Sequence, residues 1–180
     1  MTRRQQVSGK EQWLADLLFD LASKVEHGCI VQHGTFQGVG AILLARGARA
    51  GHGAQVYTID DYTTKVGWIG ETYGPEDLPI FRENIRKANV HVTLIHKDIS
   101  EAARDWTEPI GLWYWDPGAK NRFWQDWLDW SKFVVSGGVA VIKDTGTSDL
   151  GATEKMDSIV SDGDFVRELF RGGTSVLRRL

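Results

Sequence analysis

Cysteine is nearly absent from this chain, since its 180 residues contain only Cys29. One thiol cannot form a disulfide within the chain, and a reducing compartment is compatible with it. Proline and methionine are also scarce, with four and two residues. No apolar run approaches the roughly 20 residues that a membrane-spanning helix needs, and the N-terminus lacks the apolar core of a signal peptide. We therefore expect a cytoplasmic protein that has no membrane partner.

An excess of positive charge is missing as well. The 21 basic and 24 acidic residues give a net charge of −3. A protein that binds nucleic acid usually carries a net basic face, so no nucleic-acid partner is expected. Hydrophobic residues make up 42% of the chain, which favours a folded core over disorder. The length suits a single domain over residues 1–180.

Strand and helix patterns alternate along the chain. Apolar runs predict strands at 30–33, 55–59, 92–96, 110–115, 139–142, 165–170 and 175–179. Helical spacing predicts helices from a Ser8 cap to about Val25 and at 39–49, 75–88, 100–106, 121–133 and 151–160, with a loop at 61–74 and a turn at 136–138. This order predicts an α/β fold whose mostly parallel seven-stranded sheet has helices on both faces. Gly172-Gly173 indicates a C-terminal antiparallel hairpin.

The most informative motif is a glycine-rich turn after the first strand. It reads Gly34-Thr35-Phe36-Gln37-Gly38, and the second strand ends at Asp60. Glycines let the backbone approach a ligand, and a carboxylate at a strand tip can accept hydrogen bonds from ribose hydroxyls. The turn does not fit the G-x-G-x-x-G pattern, which disfavours a nicotinamide-dependent oxidoreductase. The unit therefore predicts a nucleoside site.

Acidic residues also follow the next three strands, as Asp98, Asp116 and Asp144. Together with the glycine turn and Asp60, they make the chain resemble the class I S-adenosylmethionine-dependent methyltransferases. The most similar branch is that of the small-molecule O-methyltransferases. This resemblance implies a Rossmann-like fold, S-adenosyl-L-methionine as cofactor, and methyl transfer to an oxygen of a small-molecule acceptor.

The resemblance also implies which residues bind the cofactor. It assigns the methionine part to Gly34, Thr35 and Gly38, the ribose to Asp60, the adenine to Asp98 and Ile99, and the position beneath the methyl donor to Asp116. The remaining cofactor-binding positions are Gln32, Phe36 and Asp61. Gln32 stands where the family usually has an acidic residue facing the cofactor's ammonium, so an acceptor remains but the charge is lost.

Two residues are candidates for the catalytic base. Lys120 follows Asp116 by four residues and can reach the same edge of the sheet. Either Lys120 or Asp116 would remove the proton from the acceptor. The alternative for Lys120 is a solvated lysine on a surface loop.

A divalent metal is not expected, although some relatives use one. Asp116 and Asp144 are the weak candidates for its ligands, but Lys143 stands beside Asp144 and is a poor neighbour for a cation. The five histidines have no zinc-ligand spacing. His33 alone is placed to touch a cofactor.

Two further interpretations are compatible with the sequence. Gln32, Lys143 and the absence of a histidine after Asp116 also suit a non-catalytic or degenerate protein that binds S-adenosylmethionine or a nucleoside. The tryptophan-rich helix at 121–133 is interpreted as packing on the sheet. If its other face is also apolar, it is a candidate interface for a homo-oligomer.

Overall fold

The computed structural model describes residues 9–63, 65–66, 72–118, 120–145 and 152–180. Its α-helices are α1 (Gly9–Ser23), α2 (Val39–Ala50), α3 (Asp77–Ala88), α4 (Ile99–Asp105), α5 (Phe123–Trp130) and α6 (Ala152–Ser161). Its strands are β1 (Cys29–His33), β2 (Val56–Ile59), β3 (Lys65–Val66), β4 (Thr72–Tyr73), β5 (Thr93–Ile95), β6 (Ile110–Trp115), β7 (Val134–Ile142), β8 (Phe165–Arg171) and β9 (Thr174–Arg179).

Seven strands form one sheet in the order β5-β2-β1-β6-β7-β9-β8. The pairings from β5 through β7 are parallel, whereas β9 is antiparallel to both β7 and β8. This arrangement confirms the predicted mostly parallel sheet with a C-terminal hairpin. Because β1, β2, β5, β6 and β7 run in parallel, the residues that follow them meet at one carboxyl edge.

Each face of the sheet packs on its own layer of helices. Alternate residues of β1 point to opposite faces, so Ile30 packs with α1 and α2 while Val31 packs with α4, α5 and α6. Trp113, Trp127 and Trp130 are buried in the second of these cores. The interpretation of the tryptophan-rich helix as a core element is therefore confirmed.

Three local predictions need correction. The expected loop at 61–74 contains the short antiparallel ladder of β3 and β4. The expected turn at 136–138 lies inside β7, where the pairing with β6 shifts register and Gly137 has a φ of 76°. Such a bulge lets a strand continue past extra residues. The expected helix at 121–133 is a short α-helix flanked by the 3-10 turns Lys120–Arg122 and Ser131–Phe133, which are common at helix ends.

The predicted cap at Ser8 lies outside the described residues. Within the described part of the chain, no helix combines the length and the apolar character that crossing a membrane requires.

Candidate functional site

The glycine turn after β1 is fixed by Asp60 at the tip of β2. One oxygen of the Asp60 carboxylate accepts hydrogen bonds from the backbone N–H groups of Thr35, at 2.8 Å, and Phe36, at 3.2 Å. The other oxygen accepts from Tyr62 N–H at 3.0 Å. The sequence predicted that Asp60 lies beside the turn. These backbone hydrogen bonds were not predicted, and they give the carboxylate a positioning role of its own.

The turn holds its backbone in an unusual conformation. Phe36 has a φ of 46° and Tyr62 has a φ of 50°, values that residues other than glycine rarely adopt. The Tyr62 hydroxyl donates to the Phe36 carbonyl at 3.0 Å. Burial, and then the charge of Asp60, raise the pKa of Tyr62, so its hydroxyl keeps the proton that it donates. Sequence reasoning missed Tyr62, which helps to impose the strained turn.

The glycines of the turn are required by the protein itself. A Cβ added at Gly34 would lie 2.6 Å from the Cα of Pro117, and Gly34 also has a φ of 78°. A Cβ at Gly38 would lie 2.8 Å from the ring of Phe81 on α3. We expected these glycines to make room for a ligand. In the structure, the space that a side chain would take at each glycine is already filled by protein atoms.

Gln32 carries a buried acceptor without a partner. Its side-chain nitrogen donates to the Gly34 carbonyl at 2.8 Å, while its Oε1 has no hydrogen-bond partner among the described residues. Gln32 is only 3% exposed. A Cβ at Gly40 would lie 2.8 Å from the Gln32 amide nitrogen, so Gly40 makes room for this side chain. A buried acceptor of this kind is costly unless a ligand or water satisfies it.

The other predicted residues of the turn region lie nearby. The Thr35 hydroxyl shares a short hydrogen bond with the Thr58 hydroxyl in the interior. The Asp61 side chain accepts from Thr63 N–H at 3.1 Å, and its carbonyl oxygen lies 3.0 Å from the Nε2 of His96. Both predicted residues therefore flank the tips of β1 and β2.

The prediction that His33 touches a cofactor is wrong. His33 is fully buried, and its ring lies edge-on to Trp113 and Trp130 on the face opposite to Gln32. Burial, and then the charge of Arg122, hold the pKa of His33 well below its ordinary value. The ring is therefore neutral, and its Nδ1 accepts from the Trp113 indole at 3.3 Å.

Asp98 caps α4 and joins an ion-pair network. Its Oδ1 accepts from Ser100 N–H at 2.8 Å, so Asp98 is the N-cap of this helix. The Arg122 guanidinium donates to Asp98 at 2.9 Å and, through Nε, to Asp126 at 2.9 Å. We call Asp98, Arg122 and Asp126 the arginine cluster. Ile99, the other predicted adenine contact, is buried at the start of α4.

Asp126 anchors this network in the core. It is fully buried and also accepts from the indole N–H of Trp115 at 2.9 Å. Burial raises the pKa of Asp126, and Arg122 opposes that rise. Sequence reasoning missed this network, although Arg122 and Asp126 stand four residues apart, which is the spacing of a helical ion pair.

A second cluster of charges lies after β6 and β7. The Lys120 ammonium is 2.5 Å from one oxygen of Asp116 and 3.2 Å from Oδ2 of Asp144. The Lys143 ammonium is 3.0 Å from the other oxygen of Asp116, to which Tyr114 also donates at 3.0 Å. We call Asp116, Lys120, Lys143 and Asp144 the lysine cluster. Two carboxylates and two ammonium groups thus alternate around one site.

Lys120 is the most enclosed member of the lysine cluster. Its side chain is 8% exposed, and its nitrogen lies 5.1 Å from the centre of the Trp115 ring. The alternative of a solvated loop lysine is therefore wrong. Burial, and then the charge of Asp116, raise the pKa of Tyr114 well above its ordinary value, so its hydroxyl stays a donor to Asp116.

The lysine cluster and the glycine turn are in direct contact. Asp116 N–H donates to the His33 carbonyl at 3.0 Å, and Lys143 N–H donates to the Trp115 carbonyl at 3.1 Å. The tips of β1, β6 and β7 are thereby joined. The site combines a glycine turn that is held by Asp60 with two carboxylates and two ammonium groups.

A family model described as a methyltransferase domain matches residues 31–145, which is more than half of the chain. The search of curated proteins found no sequence that matches.

Solved structures with the same fold are numerous. A Bacillus cereus O-methyltransferase in complex with SAH is 18% identical, with a TM-score of 0.69 over 93% of this chain and 80% of that one. The SAH-bound Podospora anserina methyltransferase PaMTH1 is 15% identical, with a TM-score of 0.72 over 93% and 78%. The SAM complex of TomG from Streptomyces achromogenes, an O-methyltransferase of tomaymycin synthesis, is 16% identical, with a TM-score of 0.67 over 92% and 79%.

Proposed function

This chain belongs to the methyltransferase domain family, and we propose that it transfers a methyl group from S-adenosylmethionine to an oxygen of a small-molecule acceptor. The observation that carries the proposal is the contact between the glycine turn and the lysine cluster. The Gly34 backbone packs against Pro117, which follows Asp116. A cofactor held by the turn would therefore lie beside the carboxylates and ammonium groups of the lysine cluster.

The residues of the turn fit the cofactor. The buried Oε1 of Gln32 is an acceptor that lacks a protein partner among the described residues, and it would receive a hydrogen bond from the cofactor's ammonium. Asp60 would accept from the ribose hydroxyls while it continues to hold the turn. The other residues that we assign to cofactor binding are Gly34, Thr35, Phe36, Gly38, Asp61, Asp98, Ile99 and Asp116.

The chemistry needs alignment and the removal of one proton. When bound, S-adenosylmethionine supplies an activated methyl group on its sulfonium. The protein must place the acceptor oxygen in line with that group and take the proton of the hydroxyl. We assign the proton to the Asp116 carboxylate, one oxygen of which lies 2.5 Å from the Lys120 ammonium.

Solved structures with SAH or SAM support the proposed cofactor at the level of the fold. Structures titled as complexes with SAH or SAM share the sheet and helices of this chain at 15–18% identity. Four properties stay predictions: localisation in the cytoplasm, a single domain over residues 1–180, the absence of a nucleic-acid partner, and a homo-oligomer through the tryptophan-rich helix.

Methyl transfer can be measured with a labelled methyl group on the cofactor. We expect label to move to at least one acceptor in a panel of phenols, sugars and hydroxy acids, and to stay on the cofactor when acceptor is omitted. If cofactor binds but the panel remains unlabelled, a non-catalytic binding protein becomes the better account.

A further inference from the structure

The carboxylates of Asp116 and Asp144 form a pair whose centre is already filled. Carboxylate oxygens converging at the edge of a sheet are ligands that a divalent cation would take. In this structure the Lys120 ammonium contacts both of them, at 2.5 and 3.2 Å. Lys143 supplies a second ammonium, 3.0 Å from Asp116.

These residues do not fit a divalent cation as they stand. Two ammonium groups already neutralise the two carboxylates, so an added ion would meet like charges at close range. The described residues also contain no group of three acidic, histidine or cysteine side chains that could hold a metal. Lys120 lies mostly out of solvent, with its nitrogen near the Trp115 ring.

We propose that Lys120 is a tethered cation that takes the place of a divalent ion between Asp116 and Asp144. Its ammonium holds the two loops together and presents positive charge to the acceptor oxygen, with Lys143 as the flanking charge. This inference rests on the proposed function for the acceptor, but its structural part stands apart from methyl transfer. Removing both lysines would then uncover a metal site at these two carboxylates.

Terbium(III) is a suitable probe, because this oxygen-seeking ion emits when a nearby indole is excited and Trp115 adjoins the cluster. The native protein should give no saturable Trp-sensitised terbium emission. The Lys120→Ala/Lys143→Ala variant should bind the ion at least tenfold more tightly, since two carboxylates lose their counter-charges. Adding Asp144→Asn to that variant should abolish the gain.

A matched control uses Lys132, an ammonium that lies over the Phe133 ring away from this cluster. Lys132→Ala should bind terbium no better than the native chain. A folded double variant that binds no better than the native protein would overturn the proposal. So would native emission that Asp144→Asn removes, because the lysines would then yield to an ion.

The native protein decides the matter if the double variant does not fold. Its melting temperature should be the same with millimolar magnesium and with EDTA. A rise with magnesium that Asp144→Asn abolishes would contradict the tethered cation. Neither measurement involves methyl transfer, so failure of the proposed reaction would appear separately, as unlabelled acceptors beside an intact cation result.

Discussion

The arginine cluster and the lysine cluster each take a basic residue from the same 3-10 turn, but the partners of that residue lie in different places. In the arginine cluster, the planar guanidinium of Arg122 bonds to two carboxylates, one of which, Asp126, is fully buried. In the lysine cluster, the side chains of Asp116 and Asp144 remain 22% and 36% exposed. The arginine cluster runs from Asp98, whose side chain is 35% exposed, to Asp126 in the core, while both carboxylates of the lysine cluster lie at the carboxyl edge of the sheet.

The type of basic residue in each cluster matches its location. Arginine stays charged and offers several donors in fixed directions, which suits a permanent buried pair. Lysine is a compact point charge, which suits a place between two carboxylates that a small cation would otherwise fill. The comparison teaches that ion pairing alone does not mark a reactive site. A fully buried partner such as Asp126 and the type of basic residue separate a structural cluster from a reaction centre.

The largest effect should come from Arg122→Met. This change leaves Asp126 buried without its main partner, and breaking a buried pair in this way costs about 3–5 kcal/mol of the free energy of unfolding. Urea denaturation would measure the loss. Lys120→Met should cost less, because Asp116 keeps Lys143 and water reaches the carboxylates. Equal losses at the two positions would erase the structural distinction between the clusters.

The reverse contrast should appear in activity. Lys120→Met keeps the length of the side chain and removes the ammonium between Asp116 and Asp144, so turnover should fall on the order of 10²-fold while cofactor affinity stays within a few-fold. Steady-state kinetics and calorimetry would measure the two quantities. Lys132→Met is the matched control and should retain native turnover. Native rates in Lys120→Met would reduce Lys120 to a structural counter-ion.

The smallest expected effect is a pH dependence of the free energy of unfolding, which comes from a histidine near the arginine cluster. Because His33 has a folded pKa below its unfolded value of about 6.5, the unfolded chain takes up a proton first as pH falls. Below pH 6.5, His33 should therefore lower the free energy of unfolding by up to ~1.4 kcal/mol for each pH unit. Above pH 6.5 it should have no effect. Denaturation curves should lose this component in His33→Leu. An unchanged slope would mean that His33 is not the titrating group.

The fold and the outline of the site were accessible from the sequence. Alternating strands and helices specify a parallel sheet, and residues such as Asp60 and Asp116 then reach its carboxyl edge by topology alone. The pairing inside the clusters was not accessible. Contact of Lys143 with Asp116 depends on how β6 and β7 align, and contact of Arg122 with Asp98 joins residues 24 positions apart.

The reasons behind some residues were also hidden in the sequence. Gly34 was expected to admit a ligand, but its missing side chain leaves room for the backbone after Asp116. A one-dimensional motif cannot tell whether the atoms that approach a glycine belong to a ligand or to a neighbouring strand. His33 similarly follows the alternation of β1 into the core, on the opposite face from Gln32.

Calorimetric titration with S-adenosylhomocysteine tests the central claim most directly, because it needs no knowledge of the acceptor. The native protein should bind one equivalent and should show no binding of NAD. Asp60→Ala should weaken this binding by at least about tenfold, through the loss of charge-assisted hydrogen bonds to the ribose. If the native protein does not bind S-adenosylhomocysteine, or if a folded Asp60→Ala variant binds it equally well, the proposed cofactor site is contradicted.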